Sequence, residues 1–383
     1  MIEKRNIITI FLITLMGVMG VASITPAFPT IIRHFNIKPA EIALLITVFT
    51  FPGIFLAPVV GVLADRWGRK TILLPSLFLF GLAGLGCFFT KEWEILLILR
   101  FFQGIGAASL GALNVTLIGD LFSGEKRVEI MGYNASVLSV GTAVYPAIGG
   151  ALAMAGWQYP FLLTFLAIPT GLLVLFCLNN PEPKEPPKLK DYLIRTWRNI
   201  NRRTVWGLFI INVLLFVILY GAYLSYFPLL LEERLNATSL HIGLFMSGFS
   251  LVTATTSSQL KKINRRFGSG KQIYISITLY MISMIIVAFA REWWQLVIPL
   301  ITFGMGHGIM IPAIQTQLVG FAPLTERAGF MSINSMVLRL GQTVGPVFIA
   351  LFYAAGGTGA AFLGGAFVAL VMLVVSMTLI KLT

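Results

Sequence analysis

Apolar stretches alternate with short polar segments from one end of the chain to the other, and the apolar stretches are too long and too evenly spaced for the core of a soluble domain. Twelve can be delimited, at residues 7–32, 42–63, 71–89, 93–118, 128–152 and 159–178, then 205–231, 242–260, 272–290, 293–318, 328–354 and 358–380. A helix needs about 20 mostly apolar residues to cross the hydrocarbon core of a bilayer, where every backbone N–H and C=O must be satisfied within the segment. The pattern therefore predicts twelve membrane-spanning helices. The first run follows Lys4 and Arg5 as a secretory leader would, but it is long, lacks a clear small-x-small cleavage site and precedes eleven further spans, so it reads as a retained helix.

Composition agrees: 57% of the 383 residues are hydrophobic and 11% charged, and the mean hydropathy is +0.87. A net charge of +13 would raise the question of nucleic acid in a soluble protein. Here the cations follow the topology instead. With the N-terminus inside, 21 of the 28 Lys and Arg fall in inner segments, five fall outside (Arg33, Lys38, Lys91, Arg234 and Arg291), and two, Arg100 and Arg339, fall within spans. Both termini are expected in the cytoplasm. Cys87 and Cys177 lie in apolar spans and read as packing residues.

Residues 179–204, rich in Pro, Lys and Arg, read as a cytoplasmic linker between an N-terminal bundle (1–178) and a C-terminal bundle (205–383). A shift of 200 residues without gaps aligns landmarks across it: Asn36 with Asn236, Phe49 with Phe249, Arg66 with Arg266, Gly68 with Gly268, and Glu92-Trp93 with Glu292-Trp293. The register is carried on through Gly104 and Gly306, then Arg127 and Arg327, Asn134 and Asn334, Gly141 and Gly341, and Pro146 and Pro346. The expected fold is an all-α membrane protein of two pseudo-symmetric six-helix bundles. Parallel repeats of this kind place a binding site between the halves near the midplane.

The loop after the second span reads Gly61-Val62-Leu63-Ala64-Asp65-Arg66-Trp67-Gly68-Arg69-Lys70. Gly61 and Gly68 permit close packing and a tight reversal, and the cations suit an inner leaflet. This string closely resembles the loop signature of the major facilitator superfamily, which implies gate-latching roles for Asp65, Arg66 and Arg69. Its counterpart, Lys261 to Gly270, keeps Arg266 and Gly268 but has Arg265 where the acid belongs. The run from Leu97 to Ala108 resembles a second family motif, implying a proton-coupling role for Arg100. Gly132, Gly141, Pro146, Gly149 and Gly150 resemble the motif of the proton-coupled drug antiporter branch, although Tyr145 stands where a glycine is expected. Asp120 and Arg127, near the ends of adjacent spans, join the gating set.

Arg100, Gln103, Ala107 and Asn114 share one helical face, which is expected to line the cavity because a lipid-facing Arg is costly; outward snorkelling of Arg100 is the alternative. Ser332, Ser335, Arg339 and Gln342 form a polar stripe, either facing the cavity toward an anionic or carbonyl group or acting as an internal strut. Phe216, Tyr220, Tyr223 and Phe227 suit a flat ligand or a plain core, with Asn212 on the same span. His307 is either a coupling group or a structural histidine. Glu41 and Asp120 sit near span ends, and no Asp or Glu lies deep in a span. That tilts the cargo toward neutral, zwitterionic or anionic amphiphiles.

No phosphate-binding loop is present, because Gly270-Lys271 is followed by Gln272 and Arg265 occupies the position of the first glycine. The three histidines are dispersed, and neither a metal site, a cofactor nor enzymatic activity is expected. Taken with the resemblance, the sequence points to a monomeric, multi-pass secondary transporter of the cell membrane that exchanges protons for small lipophilic or amphiphilic molecules. Proton-coupled uptake of a nutrient is the alternative.

Overall fold

The computed structural model describes residues 2–178, 202–321 and 327–380, and for 2, 3, 62, 65, 112, 128, 261, 268–270, 327–329 and 332 the backbone alone. The expected linker falls almost wholly outside the described residues. Among those described, every regular element is helical. The first six crossings are α1 (Lys4–Phe35), α2 (Leu44–Trp67), α3 (Arg69–Phe89), α4 (Trp93–Leu121), α5 (Gly124–Ala155) and α6 (Tyr159–Cys177). The second set opens with α7 (Arg203–Leu235), α8 (Ser239–Ser258), α9 (Leu260–Phe289) and α10 (Trp293–Phe321).

A 53-residue helical stretch, Arg327–Leu379, completes the chain. A straight helix of that length would run about 80 Å, more than twice the hydrocarbon thickness. It is broken at Gly356 and Gly357, the latter with φ 70, where a side chain would be strained. This gives α11 (327–355) and α12 (358–379), and the twelve crossings are complete. Ten of the helical segments are long and apolar enough to span a membrane by composition alone. The exception is α8, whose Ser and Thr hydroxyls bond back to main-chain carbonyls, as in Ser250 to Met246 and Thr253 to Phe249.

The 200-residue repeat is visible in the backbone. Asn36 and Asn236, each with φ 50, are the two non-glycine residues of positive φ among those described, and each ends a helix at the same place in its half. Glu92 and Glu292 both precede a helix in extended conformation. Gly104 packs on the Phe49 carbonyl of α2 and Gly304 meets Phe249 of α8, while Gly106 and Gly306 pack on Ser76 and Ser276. The pairing of Gly104 with Gly306 expected from sequence is thus two residues out of register; the true partner of Gly104 is Gly304. The loop expected at Lys261 to Gly270 is also corrected, because these residues continue the helix of α9, whereas Gly68 makes a true break at φ 90.

The bundles meet along two pairs of helices, α2 with α11 and α5 with α8, which the repeat exchanges with each other. The contacts of Gly150, Gly243, Thr47, Thr50 and Arg33 lie in the helix halves away from the basic ends at Arg66, Lys126, Arg127 and Arg265. Added side chains at Gly150 and Gly243 would overlap the carbonyls of Ser239 and Pro146 respectively, so α5 and α8 touch backbone to backbone. Thr47 donates to the carbonyl of Thr343 at 3.0 Å, Thr343 to the Thr50 hydroxyl at 2.9 Å, and Arg33 pairs with Glu232. Toward the basic face α5 changes character: Tyr133, Ser136 and Val140 are exposed on one side, and Ala135 and Leu138 on the opposite side. This half of α5 is thus exposed on two opposite sides, whereas its other half is packed against α8 at Gly150.

Candidate functional site

The two intramembrane arginines have different surroundings. Arg100, on α4, is 1% exposed. Its Nε donates to the Leu45 carbonyl at 3.2 Å, its Nη1 donates to the Gly20 carbonyl at 2.9 Å and to Gln103 Oε1 at 2.6 Å, and the guanidinium lies 4.1 Å from the Phe49 ring centroid. Carbonyls of α1 and α2 thus replace water around the charge. Gln103, fully buried, also reaches the Phe80 carbonyl. Arg100 therefore points into the first bundle, and this face is enclosed between helices of one half.

Arg339 lies near the middle of α11 and is half-buried at the seam between the halves. Its one described hydrogen bond runs from Nη1 to Gln342 Oε1, at 3.1 Å. The side chain crosses to the first bundle, where a Cβ on Gly53 of α2 would come within 3.1 Å of its Cδ and one on Gly111 of α4 within 3.9 Å of Nη2. The two glycines make room for the guanidinium. Tyr220 of α7, also half-buried, is coupled to it electrostatically. Ser335, one turn toward the basic face, bonds back to the Met331 carbonyl, and Thr343, one turn away from it, joins Thr47 and Thr50. The threonines and glycines had no signal in sequence, being ordinary residues until α2 and α11 are brought together.

Other expected site residues lie inside the bundles. Asn114 of α4 donates to Thr14 and Asn134, Thr14 of α1 donates to Asn134 of α5, and Asn212 of α7 donates to Asn334 of α11 at 2.8 Å; the α1–α5 and α7–α11 ties are pseudo-equivalent. His307 is enclosed in the second bundle, its Nδ1 2.7 Å from the Tyr280 hydroxyl. The aromatic stripe on α7 is divided, because Val217–Tyr226 is a π-helix whose wider turn breaks the expected spacing. Tyr220 is left beside the seam, while Tyr223 is buried against Phe227, Phe249 and Phe303.

At the basic face, Arg69 Nε pairs with Asp120 Oδ2 at 3.0 Å, joining two residues that the sequence suggested separately. Arg127 caps the end of α4 by donating to the Phe122 and Gly119 carbonyls, while Arg66 is exposed. A Cβ at Gly61 would meet open space, whereas Gly141 packs on Leu15 and Val18 of α1, and Pro146 lies within α5.

Twelve crossings in two bundles with polar side chains at their seam are the architecture of a membrane transporter built from parallel repeats. The chain belongs to the Major Facilitator Superfamily, whose profile matches residues 10–240 and 230–383. It is similar to Multidrug resistance protein 1 of Bacillus subtilis (strain 168), 26% identical over 353 residues covering 90% of this chain and 89% of that protein. It is also similar to the bacillibactin exporter of the same organism, 29% identical over 364 residues covering 91% and 90%. Among solved structures, an inward-facing, unoccupied bacterial homolog of the human lysosomal transporter Spinster superposes with a TM-score of 0.79 at 16% identity, covering 98% of this chain and 95% of that one. The fold and the family mark a transporter and not an enzyme.

Proposed function

We propose that the protein is a proton-coupled exporter of small lipophilic or amphiphilic molecules, acting as a monomer in the cell membrane with its basic face in the cytoplasm. The observation that carries this reading is the backbone-to-backbone closure of α5 on α8 and the Thr47, Thr50 and Thr343 contacts of α2 with α11, all in the helix halves away from the basic ends, with the half-buried Arg339 between the bundles next along α11. Positive charge marks cytoplasmic loops, so the closed side is the one away from the compartment from which an exporter loads. The full-length likeness to a multidrug resistance protein and an exporter supports the direction.

In this reading residues 1–178 and 205–383 rock about the seam, joined by 179–204. Asp65, Arg66, Arg69 and Asp120 latch the cytoplasmic side, with Gly61, Gly68, Arg127, Gly141 and Pro146 shaping the helices that move. Coupling runs through Arg100 or His307. Reconstitution into proteoliposomes with an imposed pH gradient tests the proposal: uphill movement of a lipophilic probe against the inward flow of protons supports it. Probe accumulation in the same direction as the protons would establish uptake by symport instead.

A further inference from the structure

We infer that the seam holds a site for an anionic group, so that the cargo is an amphiphile bearing a carboxylate or a similar anion. This rests on the export reading for the direction of movement but not for the binding itself. The argument lies in the contrast between the two intramembrane arginines. Arg100 is saturated, with carbonyls, an amide oxygen and an aromatic face disposed around it. Arg339 has one described hydrogen bond among five N–H donors, and no carboxylate among the described residues pairs with it.

An arginine near the membrane midplane is expensive unless its charge is matched, and a planar fork of donors fits a carboxylate through two parallel bonds. The neighbourhood is shaped for the guanidinium rather than for a partner supplied by the protein. Gly53 and Gly111 withhold side chains where it crosses to the first bundle. Gln342, bonded to Nη1, orients it. Arg339 is also only half-buried, whereas Arg100 is 1% exposed.

Pyrene-1-butyrate and its methyl ester differ in little besides the charge and serve as probes. Binding is read by fluorescence in nanodiscs holding the full chain, with empty nanodiscs subtracted, and transport is read separately in proteoliposomes. The acid is expected to bind wild type at least about tenfold more tightly than the ester, the effect of a charge-assisted pair. Arg339→Gln is expected to remove that preference while ester binding stays unchanged, which also shows that the fold persists; Arg339→Lys is expected to keep part of it. Equal binding of acid and ester by wild type, or an acid preference that survives Arg339→Gln, overturns the inference. If the acid binds selectively but does not leave proteoliposomes, the export reading fails and the anion site stands.

Discussion

The closed seam between α5 and α8 gives a direct handle on the conformational equilibrium. A methyl group placed on Gly243 would overlap the carbonyl oxygen of Pro146, and one on Gly150 would overlap that of Ser239. Neither obstacle is a side chain that can swing away; both are backbone of the facing helix. Overpacking of this kind costs about 1–3 kcal/mol, and it acts only where the two helices touch. The gain in helix propensity from Gly to Ala applies in both states and cancels. Gly243→Ala should therefore shift the equilibrium by about 5- to 150-fold toward conformations in which this side is parted. The assay is a pulsed spin-label distance measurement between labels at Lys38 and Arg291, exposed positions on that face in the first and second bundles. A longer distance population should appear in Gly243→Ala and in Gly150→Ala. As a contrast, a Cβ on Gly221 would come within 2.5 Å of the Gly345 carbonyl inside the second bundle, so Gly221→Ala should lower the melting temperature and leave the distances alone. Unchanged distances in both seam variants would refute the packing argument.

Other consequences follow from groups already satisfied in the bundles. Arg100→Ala strands the Gly20 and Leu45 carbonyls and Gln103, so thermal unfolding of the purified protein should show a loss of about 3 kcal/mol or more, partly restored in Arg100→Lys. Asn334→Leu removes the tie to Asn212 and should cost about 0.6–2 kcal/mol in the same assay. Asp120→Asn removes the ionic partner of Arg69 at the basic face and should slow transport severalfold while leaving equilibrium binding of probes intact, a separation that flux and binding measurements read independently.

Much of the architecture was legible because the bilayer imposes one rule on every span. Apolar length alone delimits the crossings, and turn residues such as Asn36 and Asn236 carry the repeat since few other side chains tolerate a left-handed backbone. The slip from Gly304 to Gly306 has a simple cause: both glycines are present, and only the carbonyls they touch tell them apart. The division of the aromatic stripe was hidden because a π-helix leaves no sequence mark in an apolar run. The seam itself was half legible. The polar stripe of α11 was evident from spacing, but Thr47, Thr50, Gly53 and Gly111 acquire meaning only through contacts made some 200 to 300 positions along the chain. The satisfaction of Arg100 by main-chain carbonyls is likewise a property of packing.

The two halves share a scaffold but not its polar content, and the difference bears on what drives the cycle. Where the first bundle has Phe49, Arg100 and Gln103, the repeat places Phe249, Leu300 and Phe303 in the second, around a cavity of about 10 Å³ that Tyr223 also lines. Where α11 has Arg339, α5 has Ser139. The charge at the seam thus comes from one side only, and no carboxylate answers it from deep within a span. For a cationic cargo this would be a barrier, since an inside-negative potential also holds cations in the cell. For a monoanion the signs reverse: its exit in exchange for one entering proton carries two elementary charges down the potential, about 4.6 kcal/mol per 100 mV, twice what a neutral cargo draws from the same exchange. An exporter of anions can therefore draw on the potential without an acidic residue in its pathway, so the missing carboxylate and the half-satisfied arginine have one physical explanation.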